Sequence, residues 1–193
     1  MKTLELNGSL RKEIGKKASK SDRHEDAVPC VLYGGAEVLH IRISNSELRK
    51  LIYTPEIYLV NLNVEGKITT AILKDAQFHP VKDQVLHVDF LEVFAEKPIV
   101  IAVPVSLSGL AEGVKAGGKL SLEKRKLKVR GLYKNVPEKL NIDIESLGLG
   151  KTVQVGQLSF ENLELLDAKN AVVCAVKLTR AARGAAAAAA SGK

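Results

Sequence analysis

The sequence predicts a mainly β protein built as two small domains. Three observations point to this. Short runs rich in Val, Ile and Leu recur with turn residues between them. Only one segment carries a clear helical stripe. A charged, proline-terminated stretch, Ala95-Glu96-Lys97-Pro98, interrupts the pattern near the middle of the chain.

In the first half the strand-like runs fall at 28–33, 38–43, 57–64, 69–78 and 84–93, which is the pattern of an antiparallel barrel or sandwich. The helix follows Ser44, a suitable N-cap. Glu47 stands where a capping box would place it, and Leu48, Leu51 and Ile52 form an i, i+3, i+4 stripe. It is expected to end before Pro55. Strand-like runs resume at 99–107, 126–132, 140–144, 152–155 and 171–178, with a glycine-rich loop at 109–118. The expected domains are 1–94 and 95–180. Residues 181–193 contain six consecutive alanines. A run this short is a marginal helix in water, so a flexible, disordered tail is expected.

The chain has 193 residues, 46% of them hydrophobic, enough to bury two small cores. No apolar run approaches the roughly 18 residues that a membrane span requires. The first ten residues lack the apolar core of a signal peptide. A cytoplasmic protein without membrane association is therefore expected, and the sequon Asn7-Gly8-Ser9 is an accident. Cys30 and Cys174 lie in apolar runs and read as buried small hydrophobes.

Catalytic chemistry finds little support. Gly148-Leu149-Gly150-Lys151-Thr152 resembles the end of a phosphate-binding loop, but Glu145 occupies the place of its first glycine and no amphipathic helix follows. A turn between strands is expected. His79, His87 and Asp89 lack a third well-placed ligand for a metal, and no nucleophile–base set has sequence support. Neither an enzyme nor a resident cofactor is predicted.

The same residues suit recognition. In Leu86-His87-Val88-Asp89-Phe90 the apolar residues are expected to face the core and His87 and Asp89 the outside. Gln77 and His79 likewise oppose Phe78, and Tyr33 closes a strand before Gly34-Gly35. Net charge is +7, which favours an anionic partner. Residues 1–94 balance their acids and bases, so the whole excess belongs to 95–193. Within the first half, however, a loop-like segment gathers Arg11, Lys12, Lys16, Lys17, Lys20 and Arg23 against Glu13 and Asp22. In the second half, Lys124, Lys126, Lys128 and Arg130 alternate along one strand. They read either as lysines guarding a sheet edge or as a phosphate-binding stripe.

Four segments in order carry a family resemblance: Arg11-Lys12-Glu13-Ile14-Gly15-Lys16-Lys17-Ala18-Ser19, Val28-Pro29-Cys30-Val31-Leu32-Tyr33-Gly34-Gly35, Gln77-Phe78-His79-Pro80-Val81 and Leu86-His87-Val88-Asp89-Phe90. They resemble the 5S-rRNA-binding protein of the bacterial large subunit, large-subunit protein twenty-five. Gly113 to Gly118 and Asn135 to Leu140 resemble the second domain of its longer, general stress (CTC) form. The resemblance implies a six-stranded β-barrel with one or two short helices, followed by a second antiparallel β-domain. It also implies docking on loop E of 5S rRNA, where non-canonical pairs open base edges that a regular A-form groove hides. The contact residues it implies are Arg11, Lys16, Ser19, Lys20, Arg23, Tyr33, Gln77, His79, His87 and Asp89. A magnesium ion associated with the RNA could sit at that interface. Lys20-Ser21-Asp22 stands where shorter members tend to carry paired arginines, so contacts there are expected to be the weakest.

The chain is therefore expected to be a ribosome-associated structural protein, monomeric when free, with 5S rRNA and the large subunit as partners. The alternative is a less specific RNA-binding or stress-associated protein that uses Lys124, Lys126, Lys128 and Arg130.

Overall fold

The computed structural model describes residues 1–180, and the tail expected at 181–193 lies outside the described residues. The chain forms two compact units. One holds Met1–Ile99 and Leu132–Glu138, the other Val100–Gly131 and the chain from Lys139 onward.

The first unit contains strands β1 (Lys2–Leu10), β2 (Ala27–Tyr33), β3 (Leu39–Ser44), β4 (Tyr58–Val64), β5 (Lys67–Phe78) and β6 (Val85–Glu92), with helices α1 (Lys16–His24) and α2 (Asn45–Ile52). The strands close into a six-stranded barrel in the order β1-β3-β2-β6-β5-β4. Closure leaves no open sheet edge. Its pairs are antiparallel except β1 with β4 and β2 with β6. Alternation fills the core: Leu6, Cys30, Leu32, Ile41, Ile43, Val60, Leu62, Ala71, Val88 and Phe90 are essentially inaccessible. Glu65 and Gly66, both with positive φ, make the tight β4–β5 turn.

Several local expectations are corrected. Strand β1 was not expected, although Leu4 and Leu6 alternate with Thr3, Glu5 and Asn7. The basic segment after it is not a loop, for residues 16–24 form α1. Lysine, alanine and arginine are good helix formers, and a buried ion pair anchors the helix through Asp22. Helix α2 starts after Ser44 and buries Leu48 and Leu51 as expected, but no capping box forms. The Ser44 hydroxyl lies 2.8 Å from that of Ser46. Glu47 instead accepts the backbone N–H of Asn7 on β1 at 3.0 Å, fastening the helix to the barrel.

The second unit contains β7 (Ile99–Ser108, all but its first residue), α3 (Glu112–Lys115), β8 (Lys119–Leu122), β9 (Lys126–Gly131), β10 (Leu140–Asp143), β11 (Thr152–Gln154), β12 (Glu164–Leu165) and β13 (Val172–Lys177). They form a four-stranded sheet, β10-β7-β9-β12, and a three-stranded sheet, β11-β13-β8. Val103, Leu127, Val129, Leu140, Ile142, Val173 and Val176 are buried. The domain is not wholly antiparallel as expected, because β10 runs parallel to β7. Part of the glycine-rich segment folds into α3. A side chain at Gly113 would meet the Gly148 carbonyl carbon at 2.6 Å, so this close backbone approach requires glycine. Residues 148–151 make a turn closed by Lys151 N–H to the Gly148 carbonyl at 3.3 Å, and strand β11 rather than a helix follows. Cys30 and Cys174 are buried free thiols. Among the described residues, no helix is long and apolar enough to cross a membrane.

Candidate nucleic-acid interface

Pleat and register place a defined set of side chains on the outside of the barrel, where β2, β6 and β5 lie side by side. Cys30 pairs with Val88 and Leu32 with Phe90, all four buried, so their neighbours Val31, Tyr33, His87 and Asp89 lie on the opposite face. Across the β5–β6 ladder His87 stands opposite Gln77, and Asp89 opposite Asp75. Gln77, Asp75, His87, Asp89 and Tyr33 therefore share one face. Asp75 was missed from the sequence, although it lies two residues before Gln77 and so has the same parity.

Two irregularities shape this face. The register shifts between Gln77 and Phe78, where Phe78 opposes Val85. Leu86 is the extra residue of this bulge. The expectation that Leu86 points into the core is thus incorrect: Val85 takes that position and Leu86 stays partly exposed. A second shift, between Leu73 and Asp75, brings Asp75 opposite Asp89.

Hydrogen bonds then fix the chemistry. His87 Nδ1 lies 2.8 Å from Asp89 Oδ1, with both side chains about a third exposed. The carboxylate accepts, so Nδ1 carries the proton and Nε2 of the neutral ring is left as an acceptor. His79 has the opposite arrangement. Its Nδ1 accepts the backbone N–H groups of Val81 and Lys82, each at 3.2 Å, leaving Nε2 of the neutral ring a donor. His79 thereby shapes the loop between β5 and β6. The Tyr33 hydroxyl is held above its usual pKa by burial and by the nearby Asp89 and Asp75 carboxylates, so it stays a neutral donor.

The contact residues expected around α1 divide into two groups, while Lys12 and Lys17 are also exposed there. Lys16 and Lys20 are exposed on α1. Arg11, Ser19 and Arg23 are engaged with the protein itself. Arg11 Nε donates to Asp22 at 2.9 Å and its terminal nitrogen to the Ser19 hydroxyl at 2.9 Å, and only 6% of its side chain is exposed. Asp22 is therefore the internal counter-ion of Arg11 and not a carboxylate turned toward phosphate. Arg23 donates twice to the Leu86 carbonyl, at 3.1 and 2.9 Å, clamping α1 to the bulge beside His87. Among the described residues no group of three His, Cys, Asp or Glu side chains is arranged to hold a metal. In the second unit Lys124 is held by Asp167 at 2.6 Å, whereas Lys126, Lys128 and Arg130 are exposed along β9.

Residues 6–90 match the model of the ribosomal L25p family, and residues 98–180 match that of the C-terminal domain of ribosomal protein TL5. A relative named large ribosomal subunit protein bL25, from Bacteroides fragilis, is 61% identical over 195 residues, which cover 98% of this chain and 99% of the relative. The chain belongs to the ribosomal L25p family. Another relative of the same name, from Porphyromonas gingivalis, is 63% identical over 188 residues, covering 96% of this chain and 98% of its own length. Membership of the L25p family makes this a structural protein of the large ribosomal subunit, not an enzyme.

Proposed function

We propose that this L25p protein holds 5S rRNA, in its loop E region, through the β2–β6–β5 face and helix α1 of the barrel. One observation carries the reading: the His87–Asp89 pair, opposite Gln77 and Asp75 on an outer face, lies beside the cationic helix that Arg23 clamps to the same strand. A face containing two carboxylates is poorly suited to a phosphate backbone. It suits base amino groups, 2′-hydroxyls and hydrated cations, which a distorted internal loop offers and a regular duplex conceals. Lys16 and Lys20 then position the protein on flanking phosphates. Gln77, Tyr33, His87 and Asp89 read shape and base edges, and His79 supplies an N–H donor from the adjoining loop. Arg11, Ser19 and Arg23 act by holding α1 in place.

The test is a gel shift on a loop E fragment and on a regular duplex of equal length, with Gln77→Ala and His87→Ala variants. Preferential binding of loop E is expected, weakened in each variant by about 1–3 kcal/mol without loss of fold. Equal affinity of the native protein for both RNAs would refute the proposal.

A further inference from the structure

We infer that the outer face of β9, in the second unit, is a second RNA-binding surface, one that grips the phosphate backbone of a regular duplex. This goes beyond the barrel's proposed role and rests on different residues. Lys126, Lys128 and Arg130 are exposed, while Leu127 and Val129 between them are fully buried, so the three cations form one row. Alternate residues of a strand lie about 6.8 Å apart, close to the spacing of successive phosphates along one nucleic-acid strand.

Lysines on a strand often guard an exposed edge. The structure removes that explanation, because β9 is not an edge. It lies between β7 and β12, with Val105 N–H bonded to the Arg125 carbonyl on one side and Leu166 N–H to the Lys128 carbonyl on the other. The cations therefore have no open edge to guard at this position. Local acids do not fully neutralise them either. Asp167 is occupied: burial pushes its carboxyl pKa up, but hydrogen bonds from Lys124 at 2.6 Å and from the Lys128 backbone N–H at 2.8 Å outweigh this and hold it low. Glu164 reaches Arg130 only at 4.0 Å, with both side chains more than half exposed. Next to the row, Ser106 on β7 is polar and uncharged and pairs with Asn141 on β10; the carboxylate of Asp143 lies further off, on β10, two strands away from β9.

The test measures binding of the full chain to a regular RNA duplex across a salt series. Three proteins are compared with the native chain: Lys126→Gln/Lys128→Gln/Arg130→Gln on the row, Lys115→Gln/Lys119→Gln/Lys151→Gln elsewhere on the same unit, and Gln77→Ala/His87→Ala on the barrel. All of these side chains are at least partly exposed, and circular dichroism checks that each variant folds. Loss of three phosphate contacts makes the slope of log K against log salt shallower by about 2.7 for the row variant alone. The other two variants keep the native slope. An unchanged slope in the row variant, an equal change in the control triple, or loss of duplex binding in the barrel variant would each overturn the inference. A failure of loop E recognition with the duplex result intact would sink only the barrel proposal.

Discussion

Replacing Asp22 by Asn tests how helix α1 is held. The Asp22 carboxylate receives Arg11 at 2.9 Å, with the two side chains only 12% and 6% exposed, and it also has Arg42 at 3.7 Å. The substitution keeps the shape but removes the carboxylate that offsets a buried guanidinium, and it leaves two arginines facing a neutral group. Removing one partner of a buried pair costs about 3–5 kcal/mol. The lower end applies here, because Arg11 keeps its bond to Ser19 and Arg42 can turn to Glu25, 3.2 Å away. A loss of about 3 kcal/mol is roughly a hundredfold in the opening equilibrium. Hydrogen exchange measures this directly: amides of residues 18–24 are expected to lose about two orders of magnitude of protection, while those of β4 and β5 lose much less. An Arg11→Met/Asp22→Leu double variant is expected to regain most of that protection, since an apolar pair of similar volume removes the desolvation penalty. Unchanged protection of α1 in Asp22→Asn would show that the pair behaves as an exposed one and that the helix is held by other contacts.

Arg23→Ala removes two charge-assisted hydrogen bonds from α1 to the Leu86 carbonyl, of a kind that contributes about 1.5–3 kcal/mol to stability, and is expected to loosen α1 and weaken loop E binding, as hydrogen exchange of α1 beside a gel shift will show. Gly34→Ala places a side chain at φ +99° and 2.7 Å from Leu91 Cδ1, so a destabilisation of about 1–3 kcal/mol is expected in urea titration. Gly35→Ala meets only the movable Glu92 carboxylate and is expected to cost less. Burial pushes the Cys30 thiol from 9.0 up to about 12. The folded state therefore keeps its proton where the unfolded chain releases it. Stability from this group is complete below pH 9 and is lost as pH rises toward 12. Alkaline denaturation curves of Cys30→Ala are expected to be flatter over that window.

The barrel core was legible because its rule is local: Val60, Leu62 and Val64 alternate, and Val88 and Phe90 do the same beside Gln77, His87 and Asp89. Parity along a strand requires no knowledge of the partner strand. What was not legible depends on groups distant in sequence. Leu86 leaves the core because a bulge forms against Gln77 and Phe78, and nothing within 84–93 announces it. Glu47 looked like a capping residue until Asn7, forty residues away, offered its N–H. Arg11 and Asp22 belong to a segment whose composition reads as a solvated basic loop. Only the fold shows that two of its charges cancel internally. The β9 lysines needed the sheet order before edge protection could be set aside.

These corrections bear on how the proposed interface divides its work. The segment from Arg11 to Arg23 keeps its net positive charge, but two of its cations are not free to contact RNA: Arg11 is paired with Asp22 and Arg23 is turned to a backbone carbonyl. Lys16 and Lys20 remain exposed on the helix, and the face they flank has Asp75 opposite Asp89. The recognition face itself offers carboxylates and neutral groups rather than cations, so any preference of the barrel for loop E must come from geometry. The salt dependence of loop E binding is accordingly expected to be shallow, with a slope near −2 for two phosphate contacts. It is expected to change little in Gln77→Ala even as affinity falls. A steep slope that drops with Lys126 and Lys128 would transfer the main attraction to the second unit and leave the barrel as the part that discriminates.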